Sequence, residues 1–145
     1  MTQKQEQAAK LFSSGWNCAQ SVVGVFCEQY DMDVESAMRV SAGLGGGVRV
    51  GEICGAISGG ALVIGLKYGQ REDGDKAAKV YCNGKVLEFV DKFRQVNKVI
   101  TCREILGYNL AVKKEADQAK EKNLFKTTCN DMVICAVGLL EELGY

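Results

Sequence analysis

A chain of 145 residues with 18 basic and 18 acidic side chains is about one domain in size, with room for a real core, and it lacks the basic surplus of a nucleic-acid-binding protein. It contains no histidine, which excludes Ser-His-Asp and Cys-His catalysis, His-ligated zinc enzymes, Rieske centres and His-ligated haem. Seven cysteines and no proline leave thiols as the main chemistry, in a chain free to form uninterrupted helices.

Gln3 to Phe12 is polar, with Ala8, Ala9, Leu11 and Phe12 on one side, which predicts a first amphipathic helix. Ser13-Ser14-Gly15 stops it. Asn17 is an N-cap residue and opens a second helix, from Cys18 to about Tyr30. Trp16 before it reads as a hydrophobic staple or a core contact. Cys27 follows Cys18 by nine residues, roughly 180° around a helix. Only one of the two can therefore enter a shared site. Asp31-Met32-Asp33 is a turn, and Glu35 to Ala42 a short helix.

Gly43 to Gly47 holds a glycine cluster, followed by Val48-Arg49-Val50-Gly51 and Glu52-Ile53-Cys54-Gly55-Ala56. Cys54 is expected where this loop enters a buried helix that runs to Tyr68. Gly55 and Gly59, like Ala56 and Gly60, repeat at spacing four. That gives a smooth face another backbone can approach. The glycines form no phosphate loop. No Gly-Lys-Ser/Thr follows them, and Val48 and Val50 break the Gly-x-Gly-x-x-Gly pattern, so no nucleotide is expected. Arg49 and Glu52 read as a solvated pair flanking Cys54. The apolar run Ile53 to Leu66 is too short to span a bilayer.

Asp75 to about Val99 is the longest predicted helix, with Val80, Val86, Leu87, Val90, Phe93 and Val96 apolar. Thr101 caps a short helix that begins at Cys102 and stops at Gly107. Ala111 to Asn123 is charged and reads as a mobile, partly helical surface segment. Thr128 is expected to cap the last helix, from Cys129 to about Leu143. No alternating strand pattern occurs. The fold expectation is all-α: one domain over residues 1–145, a helical bundle of about six or seven helices.

The cysteines carry the functional reading. Cys18, Cys54, Cys102 and Cys129 each fall where a helix is expected to start. There the unpaired amides and the helix dipole favour an anion and lower a thiol pKa. The N-terminus has no apolar signal core, so a cytoplasmic location is expected. In that compartment clustered cysteines point to metal or redox chemistry more than to structural disulfides. The spacings of 36, 48 and 27 residues are not those of a ferredoxin or a zinc ribbon. They suit a site assembled by folding, one ligand per helix.

These residues together resemble the C-GCAxxG-C-C family, described by its redox activity. The resemblance rests on Asn17-Cys18-Ala19-Gln20, Gly45-Gly46-Gly47, Cys54-Gly55-Ala56-Ile57-Ser58-Gly59, Cys102-Arg103-Glu104-Ile105-Leu106-Gly107 and Cys129. It covers nearly the whole chain and maps the family's four cysteines onto Cys18, Cys54, Cys102 and Cys129. Here the central motif reads Cys-Gly-Ala-x-x-Gly. The resemblance implies a redox or metal role and supplies no substrate. Cys27, Cys82 and Cys135 have no counterpart in the pattern and read as structural.

Two uses of the four thiols stay open. They can hold a thiolate-bound metal, above all an iron–sulfur cluster, for electron transfer or redox sensing. They can instead cycle between dithiol and disulfide. A non-catalytic metal carrier is a third class. The expected partner is a redox protein or a metal donor, with no nucleic acid and no membrane insertion. A homodimer through the small-residue helix stays open.

Overall fold

Capping residues set where most helices begin. In the computed structural model, which describes all 145 residues, Thr2 accepts from the Gln5 amide and opens helix α1, Gln3–Ser13. Asn17 accepts from the Gln20 amide at 2.9 Å while the Gln20 side chain accepts from the Asn17 amide at 3.0 Å. This reciprocal box starts α2, Cys18–Gly24. Asp33 caps α3, Val34–Ser41, and Asp75 caps α5, Lys76–Asn97. Thr101 caps α6, Cys102–Leu106, which ends on Gly107 in the left-handed region. Between these lie α4, Gly55–Tyr68, then α7, Lys113–Glu121, and α8, Asn130–Glu142. Eight α-helices and no strand make the fold all-α. The one extended pairing is an isolated antiparallel bridge between Ile53 and Thr101.

Three helix assignments differ from the sequence reading. The second helix does not reach Tyr30. It ends at Gly24 and resumes as a tight 3₁₀ turn, Cys27–Tyr30. A Cβ at Gly24 would meet the Met38 side chain at 2.6 Å, so the glycine lets α2 lie close on α3. Thr128 is not a cap. The chain is already helical through a wide π turn, Phe125–Cys129, and continues into α8. Residues Lys113–Glu121 form a regular helix with Ala119 buried, more ordered secondary structure than the partly helical expectation for Ala111 to Asn123.

The core lies where α4 meets its neighbours. Gly59 lets α4 approach α2, where an added Cβ would meet the Ala19 carbonyl oxygen at 2.8 Å. Gly60 does the same for α5, where an added Cβ would fall on the Phe89 ring. Phe89 and Phe93 are fully buried, each contributing about 2–3 kcal/mol of burial. They are the only buried residues of α5. Val80, Leu87 and Val96, apolar in the sequence, stand exposed. Cys102, Leu106 and Cys129 form a second, smaller buried cluster.

Gly84 is exposed in the middle of α5, and a Cβ there would meet nothing within 4 Å. Gly84→Ala is therefore expected to stabilise the protein by about 0.5–1 kcal/mol through helix propensity. Urea unfolding would measure it.

Candidate functional site

Four chain segments far apart in sequence close one cavity. Cys18 is the first residue of α2 and Cys102 the first of α6. Cys54 is the N-cap of α4. Cys129 ends the π turn that leads into α8, its amide already bonded to the Leu124 carbonyl at 3.0 Å. Three of the four thus sit at helix starts as expected, and Cys129 does not. All four line the same cavity of about 130 Å³.

The backbone fixes the mouth. The Cys54 amide donates to the Ile100 carbonyl at 2.9 Å, and the Cys102 amide to the Glu52 carbonyl at 2.6 Å. These two bonds make the antiparallel Ile53–Thr101 bridge and lock the loop before α4 to the loop before α6. Arg103 reinforces the contact with an ion pair to Glu52 at 2.9 Å. Both side chains are about half exposed, so the pair adds at most about 1 kcal/mol. The expected Arg49–Glu52 pair is therefore corrected: Glu52 pairs with Arg103, and Arg49 turns to the cavity.

Arg49 reaches the cavity through unusual backbone. Gly46, Gly47, Val48 and Arg49 all have positive φ, between 57° and 66°, a short left-handed turn. Such a conformation costs roughly 1–2 kcal/mol for each residue with a Cβ. Val48 is β-branched and half exposed, so packing of its own side chain does not explain it. The turn places Gly45 and Gly46 in the cavity wall with Arg49 beside them. The Asn17 amide group holds the approach to the turn by donating to the Ala42 carbonyl at 2.9 Å.

Apolar side chains complete the wall. Phe12, Ile105, Leu106, Leu110, Phe125 and Met132 enclose the thiols. Sequence reasoning did not single out any of these as site residues. An aromatic on the inner face of an amphipathic helix, such as Phe12, looks the same whether it faces a core or a site. Trp16 does not line this cavity, and neither do Cys27, Cys82 or Cys135. Cys27 is buried in the main core, and Cys135 accepts from Asn97 at 3.4 Å.

Burial dominates the electrostatics of the cavity. The Cys54 thiol is pushed up to about 12, first by desolvation, although the Ala56 and Ile57 amides of α4 pull it down. Those amides face the sulfur without closing a cap hydrogen bond. Burial pushes Cys102 up to about 11, with Cys129 adding to the rise and Arg49 opposing it. Cys18 and Cys129 share a hydrogen bond, which raises Cys18 and lowers Cys129. The low thiol pKa expected at every helix start is thus found only at Cys129. In the other three, desolvation, hydrogen bonding and mutual repulsion outweigh the helix ends.

The donor set fits a thiophilic metal or cluster. It offers four sulfurs, one cationic side chain, and no carboxylate or imidazole. As they stand, no three thiols or carboxylates are gathered closely enough to surround a single ion. No helix is long and apolar enough to cross a membrane.

No curated protein and no solved structure matches the chain. The family model described as "Putative redox-active protein (C_GCAxxG_C_C)" matches residues 16–143, a span that contains all four cavity cysteines, and the chain belongs to that family.

Proposed function

We propose that Cys18, Cys54, Cys102 and Cys129 hold an iron–sulfur cluster, or another thiolate-bound metal, used for electron transfer or redox sensing. The observation that carries this reading is the convergence of four thiols, from four separate segments, on one apolar cavity. Such a group supplies one-electron chemistry when it is bound. The chain's own residues do the rest. Phe12, Phe125 and the α6 side chains Ile105 and Leu106 keep water from the sulfurs. Arg49 places a cation beside them, which offsets the negative charge that four thiolates gather. The locked loops hold Cys54 and Cys102 at a fixed separation.

A second reading has its own support. Cys18 and Cys129 line the same cavity and interact directly there, the proximity that a disulfide pair needs. Forming their disulfide would release two electrons and two protons to an oxidant.

Anaerobic purification followed by metal and acid-labile sulfide analysis, with a visible spectrum, tests the choice. Iron with sulfide, absent from Cys54→Ser protein that keeps its helical circular dichroism, is the expected result. Zinc or copper without sulfide would replace the cluster with a carrier or structural site. No metal, with thiol counts that change reversibly on oxidation, would put the disulfide reading first.

A further inference from the structure

Behind the thiol cavity lies an open groove of about 720 Å³. Phe12 and Phe125 line both spaces, so two aromatic rings form the partition between groove and thiols. One wall is the end of α1 with the following Gly15 and Trp16. The other is the π turn and the start of α8. Trp16, the only tryptophan of the chain, is 41% exposed at the groove's edge.

The charges of the groove are one-sided. Lys10 enters from the first wall and Lys126 from the second, and no carboxylate lines the space. Both lysines are exposed, and neither takes part in an ion pair. The groove therefore combines faces for stacking with two uncommitted ammonium groups. Its volume falls within the roughly 300–1,000 Å³ of small-molecule sites.

We propose that this groove binds a planar aromatic anion, a ring system carrying a phosphate, sulfonate or carboxylate. The ring lies against Trp16, Phe12 and Phe125, and the anionic group is held by Lys10 and Lys126. Binding does not depend on what the thiols hold. Only the purpose of the site, as the docking place of an electron carrier, rests on the redox reading above.

The single tryptophan makes the test direct. Trp16 fluorescence is titrated with flavin mononucleotide, and with riboflavin as the same ring without the phosphate. Saturable quenching is expected, with the phosphorylated flavin binding about tenfold tighter, the difference one charge-assisted contact makes. High salt should erase that difference. The double variant Lys10→Gln, Lys126→Gln should bring flavin mononucleotide down to the riboflavin level. Linear, unsaturable quenching by both flavins would overturn the proposal, as would a preference for the phosphorylated form that survives the double variant. Saturable quenching by poly-glutamate but not by flavin mononucleotide would overturn it in favour of an acidic protein segment. Since the readout is binding, it decides the groove whether or not the thiols hold a metal.

Discussion

Gly47→Ala is expected to cost about 2–5 kcal/mol of stability. Two penalties add. Gly47 has φ of +62°, a conformation that costs roughly 1–2 kcal/mol once a Cβ is present. The new Cβ would also fall on the backbone of Glu52, within 2.8 Å of its carbonyl carbon, and overpacking against backbone adds roughly 1–3 kcal/mol. No helix propensity is gained in return. The strain would reach the cavity directly, because the Glu52 carbonyl accepts from the Cys102 amide and the Gly47 carbonyl accepts from the Glu52 amide. Gly46→Ala separates the two terms. Its φ of +66° is as unfavourable, but its Cβ would meet only the Arg49 side chain at 3.2 Å, which can move aside. Urea unfolding of both should place Gly47→Ala at least about 1 kcal/mol below Gly46→Ala. Equal midpoints would mean that the turn is free to rearrange.

Alkaline solution is expected to weaken the protein through its buried thiols. Cys54 keeps its proton to about pH 12 when folded, against an ordinary value of 9.0. Between these pH values the unfolded chain ionises this thiol and the folded chain does not. The folded state then binds more protons, so stability falls as pH rises above about 9 and stops falling above about 12. The slope for one such group is about 1.4 kcal/mol per pH unit, or about 3 kcal/mol by pH 11. Cys102, held up to about 11, adds a smaller share because it lies nearer the mouth and beside Arg49. Urea midpoints under anaerobic, reducing conditions from pH 8 to 11 would show the decline, and Cys54→Ala should flatten it. A Cys54→Ala protein with the wild-type slope would remove Cys54 as the cause.

The parts of this molecule that were legible in the sequence are those fixed by local chemistry. Asn17 and Thr101 cap helices, and Gly107 ends one, because side-chain oxygens and a missing Cβ act within a few residues. The small-residue spacing of Gly55, Ala56, Gly59 and Gly60 announced a close helix contact, and α2 and α5 supply it. The parts that were not legible depend on distant contacts. Val48 and Arg49 have no reason in their own chemistry to adopt positive φ. The loop ends held by Asn17, Glu52 and Cys102 impose it, and with it the direction of Arg49. Thr128 looks like a cap, but the wide turn before it already satisfies the backbone. Val80 and Leu87 look like core because α5 is long, yet it touches its neighbours mainly through Phe89 and Phe93. Thiol pKa values were misjudged for a similar reason. A helix terminus can be read from sequence, whereas burial among three other thiols cannot.

No residue between Ala56 and Thr101 lines the thiol cavity. The chain leaves the site at Gly55, runs out along α4, returns along α5, and re-enters at Cys102. The two amide bonds across the Ile53–Thr101 bridge pinch this excursion shut at its base. In topological terms it is an arm whose root is anchored and whose far end, the charged turn from Gly69 to Asp75, is exposed. Residues added or removed at that tip change the count between Cys54 and Cys102 without moving either sulfur. The separation of 48 residues between those two cysteines measures the length of an arm and carries no information about the geometry of the site.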